Sequence, residues 1–90
     1  MIVGTHTHVQ TADSRILPKG TGYISDVGMC GAIESVIGVE IEPVLQKFIT
    51  GRPSRFDAAK GRGQLNAIVV TAATATGMAL EVTRIYKNYQ

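Results

Sequence analysis

Tryptophan is absent from these 90 residues, and cysteine occurs once, at Cys30. A lone cysteine cannot close an internal disulfide, so the covalent staples of small secreted domains are excluded and a reducing cytoplasm is the expected compartment. As a nucleophile, Cys30 would need an activating neighbour; between Met29 and Gly31 it reads as a small residue filling a turn. Long apolar runs are also missing. Residues 67–75 come nearest, but Thr71 and Thr74 interrupt them, and they fall far short of the ~20 residues of a membrane span. The first nine residues have neither the basic start nor the apolar centre of a signal peptide. No membrane partner is expected.

Charge of one sign is scarce too. Nine Lys and Arg stand against seven Asp and Glu, for a net charge of +2. The dense basic face of a nucleic-acid binder is not evident, and Lys60-Gly61-Arg62-Gly63 reads as a solvated turn. The length fits one domain or a piece of one. A chain this short buries only roughly 60–65% of its unfolded surface, so its core is marginal.

The pattern that is present is mixed α/β. Ile2 and Val3 look like the end of a strand. Residues 4–22 read as a long loop, rich in Gly, Asp, Ser and Pro; long ordered loops are often functional. Tyr23 and Ile24 belong to a short strand ending at Asp26, and residues 32–39 fit no single period. Residues 43–50 predict a helix, with Pro43 at its first position. Glu40 and Glu42 lie at the positive end of its dipole, Val44, Leu45, Phe48 and Ile49 share one face, and Gly51 and Pro53 stop it. The last third predicts strands: residues 54–58, residues 65–74 with their β-branched content, and a return over residues 78–86 after the hairpin signal Thr76-Gly77. Leu80 and Val82 alternate with Glu81 and Thr83. Arg84 and Ile85 break that alternation, which predicts a bulge or the strand's end.

His6 and His8 are the only histidines. On extended backbone, residues i and i+2 point to one side, so two imidazoles could face one metal from a single exposed edge. Imidazole suits zinc, iron and related ions. A His-x-His pair alone reads equally well as an unliganded loop, and two ligands do not complete a site that wants four or more.

The wider string is more specific. Gly4-Thr5-His6-Thr7-His8-Val9-Gln10-Thr11-Ala12-Asp13 resembles the late histidine motif of the bacterial YmdB-type metallophosphoesterases, a family of the calcineurin-like superfamily. The likeness continues through Arg15-Ile16-Leu17-Pro18-Lys19-Gly20-Thr21 and Tyr23-Ile24-Ser25-Asp26-Val27-Gly28-Met29, and more loosely to the end of the chain. The resemblance implies the C-terminal portion of one calcineurin-like α/β sandwich domain, with one clear helix and a C-terminal β-hairpin, over residues 1–90. It implies a centre of two divalent or mixed-valence metal ions, iron or manganese, with His6 on one metal and His8 on the other. The implied activity is phosphodiester hydrolysis, with 2′,3′-cyclic nucleotides as substrates. The family's other ligands lie on the N-terminal two-thirds of the domain, so these 90 residues alone are expected to be inactive and to need that segment as a partner.

Four more residues near the motif are weighed for the site. Asp13 and Asp26 could orient a ligand imidazole, or could cap a turn and bind loop N–H groups. The second reading is preferred. Arg15 and Lys19 are candidates for contact with a substrate phosphate. Glu34, Glu40, Glu42 and Glu81 read as solvated positions. Two other functional classes compete with the enzyme. One is a non-catalytic β-rich folding or oligomerisation lobe, a homo-oligomer pairing through the edges of residues 65–86. The other is a small nucleic-acid binder using Arg52, Arg55, Lys60 and Arg62, which lacks an aromatic stacking platform.

Overall fold

A computed structural model describes residues 1–90. The order of elements is β1 (Ile2–Val3), β2 (Arg15–Ile16), β3 (Gly22–Ile24), β4 (Gly31–Ala32), α1 (Ile41–Thr50), β5 (Gly63–Ala72) and β6 (Ala79–Tyr89). The chain divides into two compact units: Met1–Met29 with Asn66–Lys87, and Cys30–Leu65 with Asn88–Gln90. The architecture is mixed α/β, as the sequence predicts.

In the first unit, β3 is the centre of a three-stranded sheet of order β1-β3-β2. It pairs parallel to β1, with Ile2 opposite Tyr23 and Val3 opposite Ile24. It pairs antiparallel to β2, with Arg15 opposite Tyr23 and Ile16 opposite Gly22. Ile24 is fully buried and Gly22 is buried beside it, while the two flanking strands stay exposed. Because β1 and β3 run the same way, their C-terminal ends emerge at one edge of the sheet. The loop after Val3 and the loop after Ile24 therefore leave side by side. Gly4 is required where they close together: a Cβ there would land on the Ser25 carbonyl oxygen. The Val27 N–H donates to the Gly4 carbonyl at 2.9 Å, continuing the pairing one step past the strands.

The same unit holds the hairpin that β5 and β6 form over residues 66–87. Ala73 N–H donates to Met78 O at 2.9 Å and Gly77 N–H to Ala73 O at 2.7 Å. Gly77 has φ of 74°, the left-handed conformation that the Thr76-Gly77 signal predicts. Strand β6 runs on to Tyr89. The break in alternation at Arg84 and Ile85 therefore does not end the strand.

In the second unit, β4 pairs antiparallel with the start of β5, Gly31 opposite Gln64 and Ala32 opposite Gly63. The helix begins two residues before the position predicted for it, at Ile41 after Glu40. Pro43 is thus its third residue, which costs nothing because the first four N–H groups of a helix have no intrahelical partner. Gly51 closes it with φ of 70° and an N–H bond to Lys47 O. Val44 is buried, but Phe48 and Ile49 on the same face are 80% and 79% exposed, so most of that face has no cover within this chain. The strand expected over residues 54–58 does not form. Only Ala58 bridges, to Val39, and the Ala59 N–H donates to Gly38 O at 2.8 Å. This segment touches one short partner and has no neighbouring strand to extend along.

Candidate functional site

The loop after β1 carries His6 and His8. It is not extended: residues 6–9 form a bend, and His8 has φ of 66°. The two imidazoles are therefore not aligned by an extended i, i+2 pleat, contrary to expectation. The backbone turns because of what happens at Thr7. Asp26, only 1% exposed, takes the Thr7 N–H at 2.5 Å and the Thr7 hydroxyl at 2.8 Å on one carboxylate oxygen, and the Gly28 N–H at 2.8 Å on the other. Both Thr7 groups are thus turned to the buried carboxylate. His6 is exposed and His8 half-buried, and neither imidazole has a hydrogen-bond partner in the chain.

Further along, the loop is held a second time. The Thr11 N–H donates to Asp26 O at 3.0 Å, and the Asp26 N–H returns a bond to the Thr11 hydroxyl at 3.0 Å. Asp13 accepts the Thr11 hydroxyl at 2.7 Å, the Ser25 N–H at 3.1 Å and the Ser25 hydroxyl. Asp13 and Asp26 therefore hold loop backbone and hydroxyl groups, and neither contacts an imidazole.

These bonds lower both carboxyls. The Ser25 hydroxyl, then the Thr11 hydroxyl and the Ser25 N–H, bring Asp13 down from 3.8 to about 2. The Gly28 N–H, with Thr7, lowers Asp26 against the opposing effect of burial. For a carboxyl whose folded pKa is depressed, the stabilisation is present above the unfolded value and lost as pH falls through the folded one. Stability is expected to be level from pH 7 to about 5 and to fall between about pH 4 and 2. Thermal denaturation across this range checks it, with Asp13→Asn flattening part of the slope; a level profile down to pH 2 would contradict the assignment.

Two further residues complete the frame, and sequence reasoning missed both. The Gln10 side-chain amide donates to Ala67 O at 3.1 Å and Ile85 O at 3.2 Å, fastening the histidine loop to β5 and β6. Its partners lie 57 and 75 residues away, so no local spacing could reveal them. Asn66 is buried and donates to Met29 O at 2.5 Å. A polar residue inside the run Leu65-Asn66-Ala67-Ile68 was the available signal. Gly28, with φ of 90°, fits against both residues: a Cβ would come within 2.9 Å of the Gln10 backbone nitrogen and the Asn66 Cγ.

The phosphate candidates separate. Arg15 lies opposite Tyr23, with its guanidinium 5.4 Å from the ring centre. Lys19 is in the turn between β2 and β3, closed by the Leu17 N–H to Thr21 O bond at 2.7 Å. That turn is at the start of β3, the end away from Asp26 and the histidine loop. Arg55 pairs with Asp57 at 3.3 Å, with both side chains largely exposed.

As a donor set, His6 and His8 fit a share of a metal centre and no more. Their nitrogens are unengaged, and the bond from Asp26 fixes the residue between them. No three His, Cys, Asp or Glu side chains of the chain are grouped to hold an ion. No helix is long and apolar enough to cross a membrane.

The chain resembles known proteins over nearly its whole length. The chain is 47% identical over 87 residues to a 2′,3′-cyclic-nucleotide 2′-phosphodiesterase of Bacillus subtilis, a match covering 97% of this chain and 33% of that protein. Among solved structures it superposes on a novel phosphatase from Mycoplasma pneumoniae with a TM-score of 0.87 and 40% identity, covering 98% of this chain and 32% of that one. It superposes on a hypothetical protein from Thermus thermophilus with a TM-score of 0.83 and 41% identity, covering 98% and 34%. The chain thus spans about a third of the length of these relatives. The family model described as YmdB-like protein matches residues 1–85, and with the histidine loop and its carboxylate frame in place, the chain belongs to the YmdB-like family.

Proposed function

We propose that these residues form part of a metal-dependent phosphodiesterase that hydrolyses 2′,3′-cyclic nucleotides in the cytoplasm, with His6 and His8 each giving one imidazole to a two-metal centre of iron or manganese. The observation that carries this reading is the pair of unengaged imidazoles flanking Thr7, whose N–H and hydroxyl are both taken by the buried Asp26. A loop fixed at its middle residue holds its two flanking ligands without spending entropy on ordering them when they bind. The name of the Bacillus subtilis relative supports the substrate class.

His6 and His8 would each hold one metal ion, and the pair of ions would supply activation of water and charge neutralisation at the phosphate. The remaining ligands and the group that protonates the leaving oxygen would come from protein outside these 90 residues. Within the chain, Asp26 sets the loop conformation, Gln10 fixes that loop to the hairpin, and the histidines ligate. The exposed apolar face of α1 at Phe48 and Ile49 favours work within a larger assembly.

Weak manganese, ferrous iron or zinc binding by the 90-residue chain is the expected result, because two neutral imidazoles leave most positions to water and provide no negative charge. Calorimetric titration checks it, with NMR showing His6 and His8 as the perturbed rings. Tight one-to-one binding that survives His6→Ala with His8→Ala would show that the ligands lie elsewhere.

A further inference from the structure

A cleft of about 540 Å³ opens in the first unit, lined by Val9, Gln10, Asn66, Arg84 and Tyr86. Its volume falls in the range of small-molecule sites, roughly 300–1,000 Å³. Val9 and Gln10 directly follow His8, so one wall begins at the proposed metal ligand. Strand β6 contributes Arg84 and Tyr86, which stand two apart and both line the cleft. Gln10 and Asn66 anchor the cleft's structure, since their amides are bonded to Ala67, Ile85 and Met29.

The two β6 side chains are chemically complementary. One Arg84 nitrogen donates to Thr11 O at 3.2 Å, which positions the guanidinium and leaves its other donors available. Tyr86 is 55% exposed, so a ring face is accessible. Residues two apart on a strand are separated by about 7 Å, a span comparable with that from a nucleotide's 3′-phosphate to its base. Guanidinium is suited to phosphate, and every nucleobase has a face on which an aromatic ring can stack.

We propose that this cleft is a nucleotide subsite, in which Arg84 takes the phosphate and Tyr86 stacks on the nucleobase. The choice of ligand rests on the phosphodiesterase reading, but the site is tested by binding, without turnover. The 90-residue chain is titrated calorimetrically, in the presence of a chelator, with adenosine 3′-monophosphate, adenosine and inorganic phosphate. The nucleotide is expected to bind roughly five- to hundredfold more tightly than phosphate, the range that stacking one base contributes, and more tightly than adenosine, which lacks the phosphate. Tyr86→Leu should bring its affinity down to that of phosphate, and Tyr86→Phe should keep it. Arg84→Gln should bring it down to that of adenosine, and Arg84→Lys should recover part of the loss. Circular dichroism confirms that each variant is folded. Nucleotide binding no tighter than phosphate binding, or equal weakness of Tyr86→Phe and Tyr86→Leu, would overturn the proposal. Failure of the catalytic reading would appear separately, as an inert assembled protein that still binds the nucleotide.

Discussion

Asp26→Ala is expected to release the histidine loop and abolish cooperative thermal unfolding of the chain. The carboxylate is buried and holds Thr7 through two bonds and Gly28 through a third. Its removal takes the acceptor from three part-buried donors at once, the Thr7 N–H and hydroxyl and the Gly28 N–H, and a hydrogen bond to a charged group contributes more than a neutral one. The chain has little to offset the loss, since Ile24 and Val44 are its only buried hydrophobic side chains. Asp26→Asn should be nearly as damaging, because an amide in place of the second oxygen sets a donor against the Thr7 N–H or the Gly28 N–H. Hydrogen exchange at those two amides gives the local readout, with a loss of protection of about a hundredfold expected, the scale of a charge-assisted bond. Unchanged protection would mean that the loop is fixed by something else.

His6→Ala and His8→Ala should behave in the opposite way. Neither imidazole makes a hydrogen bond or lies in the core, so both variants should fold and melt like the parent. In the assembled enzyme each should lower turnover by more than about a hundredfold. Replacing groups that merely support a ligand already costs roughly 10–100-fold, and these variants remove the ligand itself. Metal content should fall in parallel, while the thermal transition of the 90-residue chain stays in place. This would separate the roles proposed here: Asp26 builds the loop, and the histidines use it. A histidine variant that unfolds would place that ring in the structure, not the chemistry.

What could be read from the sequence was what local chemistry dictates. Gly51 and Pro53 stop the helix, Thr76-Gly77 turns the hairpin, and Tyr23-Ile24 forms a strand, because each depends on a few adjacent residues. The preferred reading of Asp26 as a binder of loop N–H groups agrees with its bonds to Thr7 and Gly28. What was not legible depends on distant partners. The parallel pairing of β1 and β3 brings Asp26 to Thr7 across 19 residues, and this contact turns His6 and His8 out of extended geometry. Residues 54–58 have strand-like composition, but strand formation needs a neighbour to pair with, and only Ala58 finds one. Gln10 gave no sign of its role, since its amide reaches carbonyls on two strands remote in sequence.

His6 and His8 are proposed to serve a phosphodiesterase centre that these 90 residues do not complete alone. The most direct measurement is cleavage of a 2′,3′-cyclic nucleotide and of bis-p-nitrophenyl phosphate with added manganese. It compares the 90-residue chain, the chain joined to the segment that supplies the remaining ligands, and that assembled protein with His6→Ala or His8→Ala. Turnover is expected from the assembled protein only, and is expected to be lost on either substitution. Metal-dependent turnover by the 90-residue chain alone, or an assembled protein that cleaves equally well without either histidine, would contradict the proposal.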